Sequence, residues 1–209
     1  MDNQEFGGVR LDVKTVSGGP LDVNTYVIGR EGGESCLLID PGVPVERVQT
    51  AVAGRRVDAV LLTHAHFDHM LFAEHWLRQG AKLYVHTLDA PAVTDARLNL
   101  CGMIGARLNL PQPDVQLMEG DVVCEAGVEL KVLHTPGHTP GGVCYQSGGM
   151  LFSGDTLFYQ SYGRIDFPGG SARQMRDSLK MLTQLDEEMI VYPGHGMRTK
   201  IAWERGMAL

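Results

Sequence analysis

Residues 64 to 69 read His-Ala-His-Phe-Asp-His, with four potential metal ligands in six positions. The spacing has a mechanical reading. In an extended segment, side chains two apart point the same way, so His64 and His66 can grip one ion together. If the chain then turns into a helix, Asp68 and His69 are swung aside and can serve a neighbouring ion. Three more candidates stand apart from this cluster: His138 in HTPGHTPGG, Asp155 in FSGDTLF and His195 in YPGHG. Each follows an expected strand and has glycine beside it, which frees the backbone to make a tight turn that aims a side chain at a fixed point.

These seven residues exceed the four ligands of a closed tetrahedral zinc site. Two ions sharing one carboxylate is the economical solution. His64, His66 and His138 are assigned to the first ion and Asp68, His69 and His195 to the second, with Asp155 as the bridge. Asp68 is also taken as catalytic. The expected cofactor is a pair of divalent metal ions, zinc first, with iron or manganese as alternatives. Two cations depress the pKa of a water held between them and polarise a substrate carbonyl, so hydrolysis is the natural chemistry. A non-catalytic metal-binding or sensor domain is the reading from another class, but a structural site would be saturated by protein ligands, whereas this set leaves open positions. His75, on the first expected helix, is read as packing or facing solvent. His134 is read as able to orient a ligand by a hydrogen bond. His86 has no assigned role.

The ligands need elements to hold them. Val9, Leu11 and Val13 alternate with Arg10, Asp12 and Lys14 as a strand, and NTYVIG (24 to 29) and SCLLID (35 to 40) follow, with Gly18-Gly19-Pro20 and Gly32-Gly33 as turns. AVLL (59 to 62) is a continuous apolar run that suits a strand buried on both faces, and it delivers the chain into the His motif. Met70, Ala73, Trp76 and Leu77 recur at helical spacing, which predicts a helix from 68 to about 79, stopped by Gly80. KLYVH (82 to 86) is the next strand. Further strands are expected near 128 to 134, 143 to 146 and 150 to 153. A helix should then start at Ser171, with Gln174 completing a capping box and Met175, Leu179, Leu182 and Leu185 as its apolar stripe. MIVY (189 to 192) is expected to be the last strand. Strands in both halves with helices between them predict two sheets packed face to face and covered by helices, a four-layer arrangement in one domain spanning 1 to 209. DARLNL (95 to 100) and GARLNL (105 to 110) share ARLNL, a chance repeat or one helical hairpin, in a segment expected to form an insertion over the site.

The bulk numbers narrow the partners. The 209 residues carry 18 Lys and Arg against 25 Asp and Glu, a formal charge of -7, so no basic stripe is available to track phosphates. A small-molecule substrate is expected, with no nucleic acid and no membrane. The opening MDNQEFGG lacks a basic segment followed by an apolar stretch, so a cytoplasmic location is expected. Cys36, Cys101, Cys124 and Cys144 are widely spaced, the pattern of reduced, buried thiols, with Cys101 in a Gly-rich stretch the best placed for any reactive role. The sequence has no G-x-S-x-G, H-E-x-x-H, G-x-x-x-x-G-K-[ST] or G-x-G-x-x-G, which removes serine and nucleotide mechanisms.

THAHFDH, TPGHTPGG, SGDTLF, GRIDFPGG and YPGHG occur in the order found in metallo-β-lactamase-fold hydrolases, and over nearly its whole length the chain resembles them. It is most similar to the short glyoxalase II-like proteins, the hydroxyacylglutathione hydrolases, which cleave a thioester to an acid and a free thiol. The resemblance implies the α/β (α+β) four-layer αββα sandwich and the same ligand assignment. Full-length glyoxalase II appends a helical domain with basic residues for glutathione, while this sequence stops at TKIAWERGMAL, so weak glutathione binding is expected. GRIDFPGG (163 to 170) stands where glyoxalase II has a substrate-contacting lysine. Arg164 is therefore the candidate for an anionic group on the substrate, with an internal ion pair to Asp166 or a helix carboxylate as the competing reading. The chain also resembles the persulfide dioxygenases in GRxDF; these use one iron held by two His and one Asp, here His64 or His66 with His138 and Asp155. Lactonases of the same fold remain a further alternative.

Overall fold

The structure is a computed structural model that describes residues 2–6 and 9–206. Met1, Gly7 and Gly8 of the opening MDNQEFGG lie outside the described residues, as do 207–209. The chain forms β1 (Asp2–Phe6), β2 (Val9–Gly18), β3 (Val23–Arg30), β4 (Ser35–Ile39), α1 (Val45–Val52), β5 (Arg56–Leu61), α2 (Phe67–Met70), α3 (Ala73–Leu77) and β6 (Lys82–His86). It continues with β7 (Val115–Leu117), β8 (Val122–Glu125), β9 (Val128–His134), β10 (Val143–Ser147), β11 (Met150–Gly154), α4 (Ala172–Leu182), β12 (Ile190–Pro193), β13 (Thr199–Lys200) and α5 (Ile201–Glu204). The strands make two mixed sheets, of seven strands in the order β1 to β7 and six in the order β13-β12-β11-β10-β9-β8.

Alternation along the strands builds the layers. Tyr26, Ile28, Leu37, Ile39 and Leu61 from the first sheet meet Leu130, Val132, Tyr145, Phe152 and Tyr192 from the second in the core between the sheets. The intervening residues Val27, Leu38, Val60 and Leu83 face the other way, against Val48 and Val52 of α1 and Met70, Ala73 and Trp76 of the helices after the His motif. On the far side, Leu133, Leu151 and Val191 pack against Met175, Leu179 and Leu182 of α4. This is the expected four-layer sandwich. Half of the expected capping box forms: Ser171 Oγ accepts from the Gln174 N–H at 3.3 Å, while the Ser171 N–H donates to the Gly137 carbonyl at 2.8 Å instead of to the Gln174 side chain.

Four local expectations change. The helix expected over 68 to 79 is two short pieces, because Phe72 leaves helical geometry (φ -113°, ψ 13°) and its N–H donates to the Pro41 carbonyl at 3.0 Å instead of continuing the helix ladder. MIVY is not the last strand: β13 follows it, and two residues are too few to show alternation. Segment 95 to 110 contains no helical hairpin, only a 3-10 turn at Cys101–Ile104, so the ARLNL repeat has no structural counterpart. Cys124 is exposed, unlike the three buried cysteines, because its strand β8 is at a sheet edge. The helix α1 and strands β7 and β8 were not anticipated. No helix among the described residues is long and apolar enough to cross a membrane.

Candidate metal centre

The seven predicted residues come from four loops at the ends of β5, β9, β11 and β12. All four are C-terminal strand ends, the open edge where loops of this type of sheet can converge. His66 is extended (φ -79°, ψ 148°) and caps α2, so Asp68 and His69 fall in the first helical turn. The switch to helix turns Asp68 and His69 away from His66, while the His64 ring stays between the two sets, 4.1 Å from the His69 ring and 4.8 Å from the His66 ring.

The side chains gather into three overlapping groups, each with its ligand atoms within 4.8 Å of one another: His64, His66 and His138; His64, His69 and Asp155; and Asp68, His69 and His195. In the first, His66 Nδ1 lies 2.9 Å from His138 Nε2. In the last, His195 Nε2 lies 3.3 Å from both Asp68 Oδ2 and His69 Nε2. Asp155 stands between them. Its Oδ1 is 3.3 Å from His69 Nε2 and 3.6 Å from His195 Nε2, while its Oδ2 is 3.6 Å from His138 Nε2.

The ring nitrogens turned away from the cluster are engaged. His69 Nδ1 donates to Asp40 Oδ2 at 2.9 Å, His138 Nδ1 to the Arg164 carbonyl at 2.7 Å and His195 Nδ1 to the Leu21 carbonyl at 3.0 Å. Carbonyls and a carboxylate can only accept here, so the Nδ1 atoms carry protons, and it is the neutral form of each ring that offers an Nε2 lone pair inward. Burial, followed by the neighbouring histidines, pushes His66 down to about 3 and His64 well below the ordinary histidine value, which keeps both imidazoles neutral. Burial works to raise Asp155, but the adjacent His69 outweighs it and holds the carboxyl below the usual range. For His69 the balance runs the other way: burial lowers it, and Asp68, Asp155 and Asp40 together raise it.

A divalent cation fits this donor set. His64 Nε2 and Asp155 Oδ1 are buried with no hydrogen-bond partner, as is His66 Nε2. Unpaired buried polar atoms are costly, and neutral imidazoles with carboxylates are the ligands such ions take. Two glycines make room. A Cβ on Gly194 would meet Asp155 Oδ1 and lie 2.7 Å from His69 Cε1. Gly154, at φ +48°, turns the chain directly before Asp155.

A model of the metallo-beta-lactamase superfamily matches residues 18–195. The chain belongs to the metallo-beta-lactamase superfamily. The hydroxyacylglutathione hydrolase of Aeromonas salmonicida is 37% identical over 168 residues, which cover 77% of this chain and 56% of that protein. The crystal structure of the BLEG-1 B3 metallo-beta-lactamase matches with a TM-score of 0.85 at 33% identity, covering 92% of this chain and 96% of that one. The crystal structure of TTHA1623 in a di-iron-bound form matches with a TM-score of 0.83 at 36% identity, covering 93% and 98%. Superfamily members bind divalent metals and are typically enzymes.

Two residues that orient the superfamily centre here were missed from the sequence. Asp40 takes the Thr63 N–H at 2.8 Å and the Thr63 hydroxyl at 2.6 Å in addition to His69, fixing the strand β5 exit. Asp89 accepts from Ala65 N at 3.0 Å, Thr139 Oγ1 at 2.8 Å and Gly141 N at 2.7 Å, and so ties the loop of His64 and His66 to the loop of His138. Asp40 had a signal, an acid closing the apolar run LLID; Asp89 had none.

The leftover residues are also placed. His134 does not reach a ligand. Its Nε2 bonds the Pro140 carbonyl at 2.9 Å and its ring stacks on His86 at 4.2 Å. His75 bonds Gln79, two residues past the end of α3. Arg164 stands at the mouth of the site, where its guanidinium makes two 2.7 Å bonds to Asp166. Segment 95 to 110 does lie over the site: Leu100, Met103 and Ile104 line the cleft above the candidate ligands, and the Asn99 carbonyl accepts the Phe67 N–H at 2.9 Å.

Proposed function

We propose that this protein is a two-metal hydrolase that cleaves small acyl thioesters to an acid and a thiol. The observation that supports the reading is Asp155, with one carboxylate oxygen toward His69 and His195 and the other toward His138. Two divalent ions bound there, zinc by preference and iron or manganese as alternatives, would acidify a shared water and polarise the scissile carbonyl. His64, His66 and His138 hold one position and Asp68, His69 and His195 the other. Asp68 is the proposed catalytic carboxylate: it lines the cleft and lies 3.3 Å from His195 Nε2. A thioester suits such a centre because the departing thiol has a pKa near 8.5 and leaves readily as the thiolate. The substrate is proposed to be a small soluble molecule, with neither nucleic acid nor membrane as partner and the cytoplasm as location.

Metal analysis of protein purified without added ions, paired with thioester assays on loaded and stripped protein, tests this. The expected result is two ions per chain and thioester turnover lost on stripping, with lactoylglutathione cleaved but weakly bound. One iron per chain, with sulfite formed from a persulfide under oxygen, would make the protein a dioxygenase instead. Cleavage of β-lactams or lactones with no thioester turnover would overturn the substrate class while leaving the two-metal centre standing.

A further inference from the structure

Above the metal ligands the cleft has a volume of about 380 Å³, in the range of small-molecule sites. Away from its metal-binding floor, its walls are Leu21, Phe67, Leu100, Met103, Ile104, Phe158 and Phe167, with Gly163 and Arg164. Three of these wall residues are far more open than large apolar side chains need to be: Met103 is 74% exposed, Leu21 55% and Ile104 54%. They come from two separate segments and converge on one mouth. Exposed apolar groups clustered at the rim of a site mark a surface that gains by being covered.

Charge supplies the second half of the argument. Among the described residues lining the cleft, Arg164 is the only Lys or Arg. It is already committed, paired through two bonds to Asp166 and stacked 3.9 Å over the Phe167 ring. The other charged groups there are Asp68 and Asp155. A substrate arm carrying carboxylates would find no free counter-ion on the walls and would have to displace Asp166 to reach Arg164.

We propose that the cleft selects an uncharged thioester with an aliphatic chain, seated against Leu21, Met103 and Ile104. This rests on the thioester reading above. The preference would separate the protein from hydrolases that hold a charged peptide thiol, since its binding energy comes from covering apolar surface.

The test uses the metal-loaded full-length chain and two series built on N-acetylcysteamine, an uncharged thiol. One is the acyl thioesters from acetyl to decanoyl, assayed for kcat/KM beside lactoylglutathione. The other is the matching S-alkyl thioethers, which cannot be hydrolysed, measured for affinity by calorimetry. Both kcat/KM and affinity should rise about two- to fourfold per added methylene until the cleft is filled, the worth of a half to fully buried CH₂. The double variant Met103→Asp, Ile104→Asp should flatten both slopes, and the exposure of both side chains leaves the fold intact, which thermal melting checks. Flat series in both measurements, or lactoylglutathione outrunning every aliphatic thioester, would overturn the proposal. Thioether affinity that rises with chain length while no thioester is hydrolysed would uphold the apolar cleft and reject the hydrolytic reading.

Discussion

Asp40 Oδ2 lies 2.9 Å from His69 Nδ1, and both side chains are almost wholly buried. The aspartate closes β4, a neighbour of the strand that feeds the His motif, and its backbone is held at φ 52°. It thereby fixes which nitrogen of His69 is protonated and turns Nε2 toward Asp155.

Asp40→Ala should weaken binding of the ion held by His69 about 10- to 100-fold, as loss of a carboxylate behind a ligand imidazole does elsewhere. It should also lower stability by about 1–3 kcal/mol, because the Thr63 N–H loses its buried acceptor. Competition with a chromophoric chelator measures the first effect and denaturant unfolding the second. Unchanged metal affinity would show that the His69 orientation is set by packing alone.

Asp155→Ala and His66→Ala should each abolish turnover and reduce the metal content below two ions per chain, while the apo-protein stays folded. Asp155 Oδ1 and His66 Nε2 have no hydrogen-bond partner to lose, and in the aspartate variant Asp40 and Asp68 still flank His69. Circular dichroism of the apo forms and metal analysis of the loaded ones check this. Near-normal turnover at matched metal occupancy would remove the residue concerned from the centre.

Gly194→Ala should act like a ligand mutation without changing a ligand. The added methyl group would meet Asp155 Oδ1 and sit 2.7 Å from His69 Cε1, so the loop must shift and carry His195 with it. The expected outcome is a loss of metal affinity of at least about tenfold, with the melting temperature of the apo-protein changed much less. Crystal structures of the loaded wild type and variant would show the displaced His195.

Stability should fall on mild acidification, in part because of His86. Burial first, then the stacked His134 ring, lowers its pKa to about 4. The unfolded chain, with His86 near the ordinary value of about 6.5, binds a proton that the folded chain refuses. Stability attributable to this residue is therefore complete above about pH 6.5 and is lost as the pH falls toward 4. His86 is 5% exposed, and the contribution is on the order of a few kcal/mol. Urea midpoints measured from pH 7 to pH 4 should decline less steeply for His86→Gln than for the wild type; parallel curves would refute the assignment.

The sequence alone determined those features that are encoded within a few residues. HAHFDH carries part of its own geometry, since the extended His66 followed by a helical turn sets Asp68 and His69 apart from His66, whereas the position of His64 beside His69 is not given by the spacing. The alternation in β2 to β4 and the Ser171 side-chain cap are likewise local, and they led to the layered sandwich. Only the tertiary structure decided what depends on distant segments meeting. Phe72 ends the first helix because Pro41 takes its N–H. His134, which is adjacent in sequence to the His138 loop, stacks on His86 and leaves the ligands to the backbone of Arg164 and Leu21. Asp40 and Asp89 acquire their roles from partners 23 to 52 positions away. Hydrogen bonds and ion pairs of that span leave no periodicity in the chain, because they are fixed by how the strand ends converge and not by the residues on either side.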